Sequence, residues 1–193
     1  TAKVGGTKSW STGVSIVDIN SDGFLDIYVS NSGDISGDNK QNELFINNGD
    51  LTFTEKAKDF GLDDRGYSTH AAFFDYDKDG DLDCYLLNNS YKGGFRITSI
   101  GKDQRPVRDE VGGDKLFLND KGKFIDVSEK AGIYGSVIGF GLGVTVGDAN
   151  NDGWMDIYVS NDFFERDYLY LNNRDGTFSE SLEKMVKSIS AAS

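Results

Sequence analysis

The sequence predicts an all-β fold, a partial β-propeller of three four-stranded blades. Three observations carry that prediction. The stretch Trp10–Asn31 aligns without gaps with Tyr67–Asn88 and with Phe140–Asn161, so one supersecondary unit is written three times. A second shared block follows each copy: NELFINNGDLTFTE from Asn42, DKLFLNDKGKFID from Asp114 and DYLYLNNRDGTFSE from Asp167. Finally, 24 glycines, 9 tyrosines and 13 phenylalanines stand against a single proline, which favours short strands joined by tight turns.

Taken in order, residues 1–9 read as the end of a preceding blade, because Thr1-Ala-Lys-Val-Gly5 resembles Glu129-Lys-Ala-Gly-Ile133. The first blade spans 10–66. Its first strand is the β-branched run Gly13–Val17, followed by an acidic loop at 18–26 and a second strand ending at Asn31. Leu44–Ile46 gives the third strand, an Asn-Asn-Gly-Asp turn closes it, and Leu51–Thr54 gives the fourth. The second blade spans 67–139, with its acidic loop at 75–83 and an insertion at 91–115. The third spans 140–193, with its loop at 148–156 between strands Gly143–Val146 and Ile157–Ser160. Helix is expected only in short pieces, around Ser181–Ser188. Propellers close with about four to eight blades, so three are expected to form part of a larger ring. The remaining blades would come from the same or another polypeptide.

The acidic loops carry the chemistry. They read Asp18-Ile-Asn-Ser-Asp-Gly-Phe-Leu-Asp26, Asp75-Tyr-Asp-Lys-Asp-Gly-Asp-Leu-Asp83 and Asp148-Ala-Asn-Asn-Asp-Gly-Trp-Met-Asp156. Calcium takes about six to eight hard oxygen ligands. Side chains at positions 1, 3 and 5 converge if the chain turns sharply, and glycine at position 6 supplies the left-handed backbone for that turn. The expected ligands are therefore Asp18, Asn20, Asp22 and Asp26 with the Phe24 carbonyl. In the second loop they are Asp75, Asp77, Asp79 and Asp83 with the Asp81 carbonyl. In the third they are Asp148, Asn150, Asp152 and Asp156 with the Trp154 carbonyl. One Ca2+ per loop, three in all, would take the formal net charge from −12 to −6. An EF-hand is excluded, because its loop needs glutamate at position 12 and these places hold Val29, Leu86 and Val159.

The net charge of −12 also excludes a nucleic-acid partner, since a polyanion would be repelled. No apolar run reaches the roughly 20 residues that span a bilayer. Residues 1–10 lack the basic-then-apolar pattern of a signal peptide. Cys84, the single cysteine, lies in the apolar run Cys84–Leu87 and reads as a core residue.

The strands and D-x-[ND]-x-D-G-x-x-D loops resemble FG-GAP/VCBS repeats, as in the integrin α-chain propeller. The phrases AAFFDYDKDGDLD, SVIGFGLGVTVGDANNDGW and MDIYVSNDFFERDYLYLNNRDGTF are similar to bacterial VCBS-repeat proteins that carry a C-terminal ASPIC/UnbV domain. That resemblance implies a seven-bladed ring on a secreted or outer-membrane-anchored protein. It also implies a scaffold for protein or glycan binding, accessory to glycan uptake, and attaches no catalytic activity to the fold.

Three further features compete for a role. His70, the single histidine, aligns with Gly13 and Gly143 and is placed toward the propeller axis, as a packed residue or as a general base. The 91–115 insertion holds Lys92, Arg96, Lys102, Arg105, Arg108 and Lys115 against four acidic residues, suiting an acidic glycan or a protein partner. Asp162-Phe-Phe-Glu-Arg-Asp167 pairs aromatics with charge. Two other function classes stand beside the scaffold: a propeller polysaccharide lyase or hydrolase using His70, and a purely structural segment of a larger assembly. No catalytic set is legible, so the scaffold reading is preferred to the enzyme.

Overall fold

A computed structural model of the chain describes residues 2–6, 10–33, 38–91, 103–162 and 165–185. It contains three antiparallel four-stranded sheets. The first holds β1 (Ser11–Val17), β2 (Asp26–Asn31), β3 (Glu43–Asn47) and β4 (Phe53–Glu55) in chain order. The second holds β5 (Ser68–Phe74), β6 (Asp83–Asn88), β7 (Lys115–Asn119) and β8 (Phe124–Asp126). The third holds β9 (Gly141–Gly147), β10 (Asp156–Asn161), β11 (Tyr168–Asn172) and β12 (Phe178–Glu180). Each sheet is a meander of neighbours, the architecture of a blade.

The register repeats as faithfully as the sequence. In all three sheets the first strand pairs with the second from its last residue backward, Val17 with Asp26, Phe74 with Asp83 and Gly147 with Asp156. Each pairing carries a register shift near its open end, as where Ser68 and His70 face Asn88 and Leu87. One boundary moved. Leu51 has a left-handed φ of 64° and belongs to the turn, so the fourth strand begins at Phe53.

Sequential sheets are joined by a turn of helix that the repeat pattern did not announce. These are α1 (Ala57–Phe60) and α2 (Ser128–Ala131). Both end on a left-handed glycine, Gly61 at φ 82° and Gly132 at φ 79°. The next residue, Leu62 or Ile133, donates its N–H back to the carbonyl of Ala57 or Ser128. This Schellman closure turns an apolar side chain inward. Leu62 and Ile133 are accordingly buried. Residues 182–185 are helical, and the rest of the helix expected near Ser181–Ser188 lies outside the described residues.

The hydrophobic core lies between the sheets. One cluster joins Tyr28 and Leu44 of the first blade to Cys84, Leu86 and Phe117 of the second. The other joins Tyr85, Leu87 and Leu116 of the second to Ile157, Val159 and Tyr170 of the third. Cys84 is fully buried in that packing, as its apolar context predicts, and burial pushes its thiol pKa up.

The first strands stand side by side along the inner edge. Thr12 Oγ1 donates to the Ser68 carbonyl at 2.6 Å, Ser15 Oγ to the Ala71 carbonyl at 2.6 Å, and Thr69 Oγ1 to the Gly141 carbonyl at 3.2 Å. The approach is close enough to require glycine. A Cβ on Gly13 would lie 2.4 Å from the Thr69 carbonyl oxygen and 3.1 Å from His70 Nδ1.

Candidate metal centre

Every acidic loop joins a first strand to a second, so all three occupy the same end of their blades. Glycine at position 6 is left-handed as expected: Gly23 at φ 87°, Gly80 at φ 99° and Gly153 at φ 86°. Position 4 is left-handed as well, in Ser21, Lys78 and Asn151, which the sequence reading did not foresee. Two left-handed residues in one nonapeptide wind the loop tightly enough to point several backbone N–H groups inward.

In the first and third loops those N–H groups are taken up by the leading aspartate. Asp18 accepts from the N–H groups of Asp22 at 3.0 Å and Gly23 at 2.9 Å. Asp148 accepts from Asp152 at 2.9 Å and Gly153 at 2.7 Å. The asparagine at position 3 then donates to the aspartate at position 5, Asn20 to Asp22 at 2.9 Å and Asn150 to Asp152 at 3.0 Å. These two loops are internally satisfied.

The second loop is not. Asp77 replaces asparagine and has no proton to donate, so the side-chain bond at positions 3 and 5 is missing. Asp75 Oδ2 accepts from Gly80, but Asp75 Oδ1 and Asp81 Oδ1 are buried oxygens without a hydrogen-bond partner. Carboxylate oxygens of Asp75, Asp77 and Asp83 lie within 4.8 Å of one another, and among the described residues no other acidic, histidine or cysteine group converges so closely. Burial pushes the Asp83 carboxyl pKa up to about 7. Burial, then the charge of Asp79, raises Asp77, and burial, then a side-chain hydrogen bond with Asp79, raises Asp81. Orphaned, mutually repelling oxygens within ligand reach of one another fit a hard cation that needs oxygen donors.

The aspartate at position 9 has a second duty. Asp26, Asp83 and Asp156 are all buried. One oxygen of each accepts the N–H at position 2, from Ile19, Tyr76 or Ala149. The other accepts the N–H of the last residue of the third strand, from Asn47, Asn119 or Asn172, at 2.8, 2.9 and 2.8 Å. These asparagines also donate their side-chain amides to the carbonyl at position 8, of Leu25, Leu82 or Met155. Each carboxylate therefore ties its loop to the second and third strands, and lone pairs remain for a metal. The three asparagines were missed as site residues. The signal was present in the shared ending of LFIN, LFLN and LYLN.

The pattern describing FG-GAP-like repeats matches residues 32–86 and 107–159, which contain the second and third loops. The chain belongs to the FG-GAP-like repeat family. A search of curated proteins returned no match.

The remaining candidates of this FG-GAP-like chain fall into place around the blades. His70 is half-buried, with its imidazole beside Gly13 of the neighbouring inner strand. Of the insertion, residues 103–115 are described, while Lys92, Arg96 and Lys102 lie outside the described residues. Arg105 bonds Glu165 at 2.8 Å, Lys115 pairs with Asp64, and Arg108 donates to the Ile133 carbonyl at 2.9 Å. Arg105 and Lys115 thereby hold the second blade to its neighbours, while the Arg108 contact lies within the second blade. A cleft of about 620 Å3 opens beside Arg65, Arg108 and Lys115, with Asp63, Asp64 and Glu110 on its walls. Phe163 and Phe164 lie outside the described residues. Of their neighbours, Asp167 accepts from Tyr158, and Arg166 pairs with Glu180 at 2.6 Å. Among the described residues no helix is long and apolar enough to cross a membrane.

Proposed function

We propose that this chain is a calcium-stabilised propeller scaffold that presents its loops to a protein or glycan outside the cell. The observation that carries the reading is the second loop, where two buried carboxylate oxygens lack partners beside three converging aspartates. Asp75, Asp77, Asp79 and Asp83 with the Asp81 carbonyl would hold one Ca2+. The first loop would use Asp18, Asn20, Asp22, Asp26 and the Phe24 carbonyl, and the third Asp148, Asn150, Asp152, Asp156 and the Trp154 carbonyl. The ion supplies two positive charges that offset part of each loop's negative charge and ties the first hairpin of its blade.

The extracellular setting, at a bacterial surface and accessory to glycan uptake, follows from the VCBS and ASPIC/UnbV resemblance, and millimolar calcium outside cells suits such loops. Further blades, from the same or another polypeptide, would complete the ring. Half-exposed apolar residues on the first blade, Ile27 and Val29, support that completion. Each filled site should add roughly 1–3 kcal/mol at calcium well above its dissociation constant. Scanning calorimetry with and without chelator tests this, and an unchanged melting temperature overturns the calcium reading. Turnover of any polysaccharide that is abolished by His70→Ala at constant melting temperature would overturn the scaffold in favour of an enzyme.

A further inference from the structure

The three loops share a motif but not an electrostatic setting. The third loop has acquired two cations. Arg174, in the turn between β11 and β12, reaches across to Asp152 at position 5, with Nη2 2.9 Å from Oδ2. That contact is the leading reason the Asp152 carboxyl lies below its usual range. The ammonium of Lys78 sits 4.3 Å from the ring centroid of Trp154, at position 7 of the same loop.

Lys78 belongs to the second loop, so the same contact carries the second loop's own cation outward, over its neighbour. The second loop keeps five aspartates, while the third has three. In the first blade the residue aligned with Arg174 is Gly49, where a Cβ would lie 3.2 Å from the Phe24 ring, so no side chain enters that loop from the turn.

We infer that Arg174 is a tethered counter-cation, assisted by Lys78, that weakens calcium binding at the third loop so that the second loop fills first. Calcium must displace the guanidinium from Asp152 Oδ2 before that oxygen can become a ligand. An arriving divalent ion is also repelled by both side chains at short range. At the second loop the aligned turn residue is Lys121, which makes no ion pair with that loop among the described residues, and the ion meets Asp75 Oδ1, which has no hydrogen-bond partner. More ligand charge and fewer competing donors both raise calcium affinity. The first loop, with an Asn20–Asp22 bond but no arginine, falls between them.

This inference rests on the calcium reading, and the experiment separates the two. Terbium serves as the calcium stand-in, and its emission excited through tryptophan reports the third loop once Asp75→Asn has emptied the second, because Trp154 lies within the third loop but beside Lys78 of the second, while Trp10 precedes β1 at that strand's far end. Calorimetric calcium titration reports all sites, and Asp75→Asn identifies the event of the second loop by abolishing it. The wild-type protein should give a tight event from the second loop and a later, tryptophan-sensitised midpoint from the third. Arg174→Gln should move that midpoint to about three- to tenfold lower terbium, the scale of an exposed ion pair plus like-charge repulsion. Lys78→Gln should move it less. Arg174→Asn, which suits the left-handed backbone there (φ 66°), should match Arg174→Gln. In chelator the two Arg174 variants should melt slightly below the wild type, because they lose the pair with Asp152 that calcium would otherwise displace, and Lys78→Gln should differ less. Binding with an unmoved midpoint in both Arg174 variants, or a third loop that saturates before the second, overturns the role of Arg174 and leaves the calcium reading standing. Absence of both heat and emission in the wild type overturns both.

Discussion

The second and third blades are built from the same strands in the same register, yet their surroundings differ. Both faces of the second blade are covered, by Tyr28 and Leu44 on one side and by Ile157, Val159 and Tyr170 on the other. The third blade is covered on one face. Equivalent tyrosines make the contrast plain. Tyr28 and Tyr85 are fully buried, whereas Tyr158 is 39% exposed. The first blade shows the complementary pattern. Ile157 and Val159 are fully buried against the second blade, while Ile27 and Val29, their counterparts in β2, are half-exposed. The stability of this molecule therefore resides between blades, and the same residue has a different value depending on which side of the array it faces.

Isoleucine at one repeat position gives the largest test. Ile157→Ala leaves a cavity in the seam between the second and third blades and should cost about 2–5 kcal/mol. Ile27→Ala removes the same atoms from a half-exposed face and should cost under about 1 kcal/mol, because less area leaves water on folding. Urea unfolding of both variants measures the difference. Equal losses would mean that blades are stabilised internally, and the comparison would break.

How much of this was legible in the sequence depends on the range of the interaction. The strands, the Asn-Gly and Asp-Gly turns and the loop glycines are local, and each follows from a few neighbouring residues. The three-fold repeat multiplied those local signals. Which face of a strand meets another blade is not local. Tyr28 and Tyr158 occupy identical words, DIYVSN, and only the three-dimensional array separates their burial. The hold of Asp26, Asp83 and Asp156 on the third strand was hidden for the same reason, since their partners at Asn47, Asn119 and Asn172 lie 21, 36 and 16 residues away. The hold of Arg174 on Asp152 spans 22 residues and occurs in one repeat alone, so no pattern could signal it.

A smaller effect should come from the residue that precedes each third strand, Asn42, Asp114 or Asp167. Asp114 accepts the Tyr85 hydroxyl at 2.8 Å and the Asn88 N–H at 2.9 Å inside the covered seam, and burial pushes its pKa up to about 7. A carboxyl whose folded pKa exceeds its unfolded value near 3.9 favours folding below that unfolded value, and the contribution is lost as pH rises through about 7. Asn42 fills the same place in the first blade and holds the same two partners, accepting the Asn31 N–H and donating its amide to the Tyr28 hydroxyl. Asp114→Asn should therefore stabilise at pH 8 by on the order of 1–2 kcal/mol and have little effect at pH 4. Asp167→Asn, beside the exposed Tyr158, should change stability by less than about 0.5 kcal/mol at either pH. Thermal melts at pH 4 and pH 8 read both. A destabilised Asp114→Asn at pH 8 would show that the seam tolerates the charge.

The smallest effect sharpens the contrast at a single hydroxyl. Thr12 and Thr69 occupy the second position of β1 and β5, and each reaches a carbonyl of the following inner strand, Ser68 or Gly141. Leu142 holds that position in β9 and is 58% exposed. Thr12→Val keeps the shape but leaves the Ser68 carbonyl without this donor between packed strands, which should cost about 1 kcal/mol. Leu142→Thr supplies a hydroxyl on the exposed side of the array, so it should stay within about 0.5 kcal/mol of the wild type in the isolated chain. Mixed with a polypeptide that supplies the next blade, the same Leu142→Thr variant should gain stability relative to the wild type, because a carbonyl then stands in reach. If Thr12→Val proved neutral in denaturant titrations, the hydroxyl ladder along the inner edge would be ornament, and apolar packing alone would account for how one blade recognises the next.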